Sequence, residues 1–369
     1  MKMPTCLHSF AFAAAFLVAT AAFSSVLYVD SHVDESSDGD GTTPETALAT
    51  LDAAAAAAAD GDEIRILGGE GRSYVFASDT NGTRFAQTSL RLVGWGGDRP
   101  VLYPDPEVER AGGQHLLILA GAGSSASSLA FHFTKASAGK ATVLSVQAPD
   151  VVVRDCEFEL ADGPATYQAG GYAGIVSCDR GCATNHLVEG CTFRNTRPVN
   201  ANWEYRPIMP RDGARIVGNL FTNVNSAVAC RKLGAGENDG RSDYTGAIAF
   251  VSNVVVESHC TAGGSYGGVV LGNYNGPRTA EIAFNRFVNN GAEPSGSVVR
   301  KDREGCTSLS LHHNTVVGFE ALLSTGNKWP GNTVARIFDN LLIGTPAVLS
   351  EDAIELTDSQ GNVTDTYLT

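Results

Sequence analysis

Apolar residues in this chain come in short β-branched runs, broken every few residues by polar ones, and the runs themselves recur. Seven segments fit one template: VVVRDCEFEL (151–160), HLVEGCTFRN (186–195), ARIVGNLFTN (214–223), IAFVSNVVVE (248–257), AEIAFNRFVN (280–289), LSLHHNTVVG (309–318) and ARIFDNLLIG (335–344). Each is an apolar run, a polar pivot and a second apolar pair. The pivots, Cys156, Cys191, Asn219, Asn253, Asn285, Asn314 and Asn340, recur at intervals of 35, 28, 34, 32, 29 and 26 residues. A constant motif at a variable period reads as constant strands joined by variable loops. Another strand precedes most pivots: GIVSCD (174–179), PIMPRD (207–212), AVACRK (227–232), GVVLGN (268–273), SVVRKD (297–302) and LLSTGN (322–327). Each repeat is therefore strand, turn, strand, pivot, strand. No helical period of crossover length lies between them, which predicts a solenoid of parallel strands rather than a doubly wound sheet. Less regular runs at EIRIL (63–67), LRLVGW (90–95), HLLILAG (115–121) and SLAFHF (128–133) extend the solenoid to about 63–350. That length accommodates roughly 9–11 coils.

These pivots resemble the asparagine ladder of right-handed parallel β-helix proteins, the pectate lyase-like superfamily. The resemblance implies an all-β, right-handed solenoid. In it Asn219, Asn253, Asn285, Asn314 and Asn340 stack at the bend between two strands, with two cysteines taking over in earlier coils. The residue chemistry suits the place. Asparagine tolerates the left-handed backbone of a sharp bend, and its amide both donates and accepts a hydrogen bond.

The stretch TLDAAAAAAADGDEIRIL (50–67) holds seven consecutive alanines. A solenoid exposes its core at each end, so something must cover the first coil. Thr50 can cap a helix through Leu51 and the alanines, Asp52 complements the helix dipole, and Gly61 is expected to stop it. The segment around LYVDSHVDESSDGDGTTPETALATLDAA resembles the lead-in of secreted β-helix proteins. The expected organisation is a signal peptide (1–24), a lead-in with its cap helix (25–62), the solenoid (63–350) and an irregular end or the start of further sequence (351–369).

The signal reading rests on Lys2, the short apolar run FAFAAAFLVATAAF and the small residues of AFS (22–24), and it predicts a secreted, periplasmic or surface protein. No later segment has transmembrane length. The 369 residues carry a formal charge of −14, which disfavours nucleic acid and anionic membranes as partners. Seven cysteines follow the signal, and an odd number leaves at least one thiol free; Cys178 and Cys182 are near enough in sequence to bridge. A monomer is expected.

Candidate chemistry gathers at the end of the strand before each pivot. One column is read as Cys178, Arg211, Arg231, Gly272, Lys301 and Gly326, the next as Asp179, Asp212, Lys232, Asn273, Asp302 and Asn327, with Arg300 one residue earlier. Arg211, Arg231, Lys232, Arg300 and Lys301 are the main concentration of positive charge in an acidic chain. The long insertion LGAGENDGRSDYTG (233–246) adds Glu237, Asp239, Asp243 and Tyr244. Tyr244, Tyr274 and Trp329 offer flat rings for sugar faces, and rings of this kind equally suit packing under loops. The resemblance implies two chemistries at this edge. A lyase would use Arg231, Lys232 or Lys301 as the base, with Arg211, Arg300, Tyr274, Trp329 and Tyr244 binding an acidic polysaccharide or cell-surface glycan. Calcium would sit on Asp212, Asp302, Glu237 and Asp239. A proton beside a carboxylate is removable only when that charge is neutralised. A hydrolase would use paired aspartates from Asp179, Asp212 and Asp302, but the Gly-His-Gly and Arg-Ile-Lys signatures of polygalacturonases are absent. The alternative is a non-catalytic adhesin or scaffold, in which Arg211–Asp212 and Lys301–Asp302 are solvated strand ends. His312 and His313 read as turn residues. Phosphate loops, nucleophile elbows and zinc-ligand spacings are absent.

Overall fold

The computed structural model describes residues 24–34, 39–69, 71–76, 82–104, 115–134, 142–161, 176–178, 184–196, 207–224, 226–230, 246–258, 267–271, 277–290, 296–301, 306–325, 334–345 and 347–349. The signal and C-terminal readings lie outside them. Strands of three to five residues dominate, because tandem β-branched runs flanked by turn residues favour extended backbone. They assemble into three parallel sheets of eleven, ten and ten strands. Sheet I runs from Val26–Val29 to Val334–Phe338, sheet II from Ser73–Phe76 to Leu341–Ile343, and sheet III from Thr83–Phe85 to Ala347–Leu349. Apart from the first two, Val26–Val29 and Glu63–Leu67, consecutive strands do not pair. Each pairs with the strand three further on, so the chain passes through all three sheets once per coil. This is a parallel β-helix.

The core is one column of apolar side chains enclosed by the three sheets. Phe131, Phe158, Phe193 and Phe221 stack along sheet II with centroids 4.8, 4.9 and 4.8 Å apart and nearly parallel rings. That spacing is the strand-to-strand repeat itself.

The bend from sheet I to sheet II is two residues long in eight coils. The first residue is left-handed: Ser128, Asp155, Gly190, Gly218, Ser252, Phe284, His313 and Asp339, with φ between 51° and 66°. The second is Leu129 in the first of these coils and the pivot in the other seven. The pivot asparagines therefore do not supply the left-handed backbone, as expected from sequence; the residue before each one does. A pivot instead turns its amide into the core. Asn219 Nδ2 donates to Asn253 Oδ1 (3.0 Å), Asn253 to Asn285 (3.2 Å), Asn285 to Asn314 (3.0 Å) and Asn314 to Asn340 (2.9 Å). Each Oδ1 also accepts the backbone N–H of the preceding pivot, at 2.8–3.0 Å. Cys191 and Cys156 continue the column; the Cys156 N–H points at Cys191 Sγ at 3.4 Å. Cys156, Cys191, Cys230 and Cys306 are buried, and burial pushes the Cys156 and Cys230 thiols up.

The alanine tract forms a helix, Leu51–Ala57, whose first turn is capped by the Thr50 hydroxyl accepting from the Ala53 N–H. Leu51 and Ala54 are buried, and the helix lies against Thr83–Phe85, the first strand of sheet III. The Thr83 hydroxyl donates to Asp52 (2.7 Å) and the Gln87 amide to the carbonyls of Ala55 and Ala58. The helix ends before Gly61, contrary to expectation, and Gly61 (φ +82°) makes the turn that follows. The solenoid also begins earlier than residue 63: Val26–Val29 is already a strand of sheet I, paired with Glu63–Ile66.

Candidate functional site

The turn from sheet III to sheet I is where charge was expected to gather. In the middle of the chain this turn is Arg211–Asp212–Gly213–Ala214. It is fixed by the Ala214 N–H donating to the Arg211 carbonyl (3.1 Å) and the Asn185 N–H to the Asp212 carbonyl (2.9 Å). Gly213 sits at φ +75°, and a Cβ there would meet Asn185 Oδ1 at 2.2 Å, so the corner requires glycine. The Arg211 N–H points at His186 Nε2, 3.4 Å away. His186 is buried, and burial, assisted by the Arg211 charge, lowers its pKa to about 4. The imidazole is thus neutral at physiological pH. Arg211 and Asp212 are half-buried at this corner.

The strand register corrects the expected columns. Ile208, Val228, Val269, Val299 and Leu323 stand level, joined by Val176. Lys301 is consequently level with Leu271 and Cys230, one residue short of Arg231, and Cys178 likewise falls one short of Arg211. Arg300 is half-buried, on the outward column Arg84, Ile118, Ser145, Met209, Ala229, Val270, Arg300 and Ser324. Between its two arginines this outward face is small or apolar, and Ile118, Ser145, Met209, Ala229 and Val270 are buried. It is therefore not an open groove across its middle, and reactive groups are left to its margins.

Arg231, Lys232, Tyr244, Tyr274, Trp329, Asp302, Glu237 and Asp239 lie outside the described residues, as does Asp179; Lys301 is described as backbone only. Among the described residues, no group of three or more metal-ligating side chains includes Asp212. The described residues do not by themselves assemble the expected calcium site.

Two surface clusters were not found from sequence. On sheet II, His132, Glu157 and Glu159 are close enough to share an ion, but Arg194 reaches both carboxylates and Arg99 reaches Asp155 and Glu157. Guanidinium groups already fill that cluster, which reads as an ion-pair network with modest energetic weight. The second lies at the bend between sheets I and II in the last three coils, where Phe284, His312, His313 and Phe338 form a cluster of four rings. The signals for both were spread over several coils, and only the register brings them together.

No protein-family profile matches the chain, and no curated protein matches it by sequence. Comparison with solved structures does find matches. The chain is similar to the pectate lyase Pel9A, with a TM-score of 0.60 at 14% identity, over 93% of this chain and 82% of that one. It is also similar to a mutant tailspike protein of E. coli bacteriophage HK620 in complex with a pentasaccharide, with a TM-score of 0.51 at 10% identity, over 83% of this chain and 63% of that one. At such identities the likeness establishes the fold, a right-handed parallel β-helix of the pectate lyase-like type. Fold alone does not fix chemistry.

Proposed function

We propose that this chain is a carbohydrate-active β-helix that holds an acidic polysaccharide along the corner between sheets III and I and cleaves it by β-elimination, outside the cytoplasm. The observation that carries the reading is the concentration of cations in sequence, in and just after strands of sheet III, at Arg211, Arg231, Lys232, Arg300 and Lys301, in a chain of net charge −14. The likeness to a pectate lyase over 93% of this chain supports it. In the step proposed, a basic side chain, drawn from Arg231, Lys232 and Lys301, takes the proton on the carbon beside a uronate carboxylate. The electron pair left behind forms a C=C bond as the C–O bond one carbon away breaks. The departing sugar oxygen takes a proton from solvent. A cluster of cations favours a deprotonated base within it and stabilises the negative charge that develops on the uronate. Arg211 and Arg300 meet substrate carboxylates, and Tyr244, Tyr274 and Trp329 stack on sugar faces. Calcium on Asp212, Asp302, Glu237 and Asp239 belongs to this proposal as a binding expectation only, and no step runs through it.

The test offers purified protein pectate, alginate and glycosaminoglycans, with and without calcium. Elimination yields an unsaturated product that absorbs in the ultraviolet. Rising absorbance on an acidic polymer is the expected result; none on the whole panel overturns the lyase reading. The buried, apolar outward face of sheet III favours a second reading, a glycan-binding adhesin or scaffold without catalysis. Oligosaccharide binding with no new absorbance and no new reducing ends would establish it. New reducing ends without absorbance would point to hydrolysis by Asp179, Asp212 or Asp302.

A further inference from the structure

Neighbouring residues on a strand point to opposite faces. His312 and His313 escape this rule. His312 ends a strand of sheet I, and His313 is the left-handed residue of the bend, φ +55°, so the chain turns between them. Their Nδ1 atoms face each other at 3.0 Å. Their Nε2 atoms face carboxylates instead: His312 Nε2 stands 3.4 Å from Glu281 Oε1, and His313 Nε2 stands 3.7 Å from Asp339 Oδ2. A carboxylate facing Nε2 favours the tautomer that turns an Nδ1 lone pair toward the other ring. At 3.0 Å the two Nδ1 atoms are within reach of one shared proton, and a metal ion can take that proton's place.

The rings are held in place by their neighbours. Phe338 stacks on His312 at 4.8 Å with an interplanar angle of 5°, and Phe284 stacks on His313 at 4.7 Å with 25°. Phe284 is itself left-handed, φ +58°, and more than half exposed. A bulky residue in that conformation is strained, and an exposed ring regains little of the cost by burial. Strain kept at an exposed position, against a histidine that is paired with another histidine, is what a preorganised ligand set looks like.

We propose that His312 and His313 bind one late first-row divalent metal ion through their two Nδ1 atoms, with Glu281 and Asp339 orienting the rings through Nε2. Two nitrogens each about 2.0–2.1 Å from a shared ion stand ~3.0 Å apart when the angle between them is roughly a right angle. That angle suits the tetragonal geometry of copper(II) or nickel(II) better than tetrahedral zinc, and imidazole is a ligand all three accept. Two protein ligands leave the other positions to water or to a donor on a bound molecule. The site is at the bend between sheets I and II, a different corner of the coil from the cationic one.

The test titrates copper(II) and nickel(II) into the full chain, carrying no polyhistidine tag, by calorimetry. Electron paramagnetic resonance of the copper form counts the coordinating nitrogens. One ion per chain with two nitrogen ligands is expected. His312→Gln and His313→Asn should each weaken binding at least tenfold and the double variant abolish it; asparagine at 313 keeps the left-handed backbone accessible. His132→Gln, in the sheet II cluster, should leave binding unchanged. Circular dichroism should be unaltered in all of them. The inference fails if wild-type protein takes up no metal, which would leave a shared proton as the link between the rings. It also fails if the double variant still binds, or if His132→Gln is the change that removes binding.

Discussion

Replacing Asn285 with alanine tests the ladder in its buried middle. The Asn285 side chain makes four hydrogen bonds. Oδ1 accepts from the Asn253 N–H at 2.8 Å and from Asn253 Nδ2 at 3.2 Å. Nδ2 donates to the Phe250 carbonyl at 2.8 Å and to Asn314 Oδ1 at 3.0 Å. Alanine removes all four, with unequal consequences. Asn253 Nδ2 keeps the Ile216 carbonyl at 2.9 Å, and Asn314 Oδ1 keeps the Asn285 N–H at 3.0 Å. The Asn253 N–H loses its side-chain acceptor, and Asn253 is 1% exposed, so water cannot replace it. A stranded buried donor costs about 1–3 kcal/mol, and the other lost bonds add about 1 kcal/mol between them. The expected destabilisation is about 3 kcal/mol, read as a drop in the urea midpoint at unchanged m-value.

Asn340→Ala is the internal control. It removes equivalent bonds to Asn314, but Asn340 is only half-buried in the last described coil of sheet I, and water can reach the groups it leaves. It should cost about 1 kcal/mol or less. Asn285→Asp separates the two halves of the amide, since it can still accept from Asn253 but places a lone pair against Asn314 Oδ1 and the Phe250 carbonyl. It should be at least as damaging as alanine. If Asn285→Ala and Asn340→Ala cost the same, or if aspartate is tolerated, the ladder is not held by buried amide pairing.

Three other outcomes are expected. Because His186 has a pKa of about 4 in the folded chain against about 6.5 unfolded, the unfolded state binds more protons between those values; stability should fall as pH drops through that window, by about 3 kcal/mol in all. His186→Leu should flatten that part of the urea-midpoint profile. Arg231→Ala, Arg300→Ala and Lys301→Ala should each lower affinity or turnover for acidic polymers, more so at low salt, whereas Arg91→Ala, an exposed partner of Glu63 on sheet I, should do neither. Phe284→Gly should leave the melting temperature the same or higher, because relief of the left-handed phenylalanine offsets the added freedom of the unfolded chain.

What the sequence disclosed divides by the kind of constraint. The asparagine pivots were legible because amide-to-amide pairing demands one residue type at every rung. The left-handed residue before each pivot was not, since serine, aspartate, glycine, phenylalanine and histidine all fill it. The register slip at Lys301 has a similar origin. Chain entering sheet III puts two successive residues in the core, and Val298 and Val299 are both fully buried. A tandem apolar pair has no alternation, so nothing in SVVRKD says which valine is level with Val269. The strand Val26–Val29 escaped notice because four residues carry too little pattern of their own; its pairing with Glu63–Ile66 defines it. The histidine pair was read as turn residues; His313 is one, whereas His312 ends the strand before it. The pair's chemistry depends on Phe284, Glu281, Phe338 and Asp339 from adjacent coils, which sequence distance conceals.

Two of the three bends in each coil impose different limits on what evolution can change. Between sheets I and II the bend is one left-handed residue and one buried residue in eight coils, and in seven of them the second is a pivot. The pivot is buried and bonded above and below, so its identity is set by its partners. The left-handed residue is limited only by its backbone, and its side chain is free to carry something else. Most coils place serine, aspartate or glycine there, residues that tolerate the conformation. Phe284 and His313 are the exceptions, in adjacent coils and in ring contact with each other. Chance placement of two unfavourable residues would not also align their rings, draw in His312 and Phe338, and set a carboxylate against each imidazole. A solenoid holds its coils by the ladder and the core column, and so it can carry local strain at such a bend without losing register. The same independence operates at the turn from sheet III to sheet I, where the number of residues between the strands varies from coil to coil.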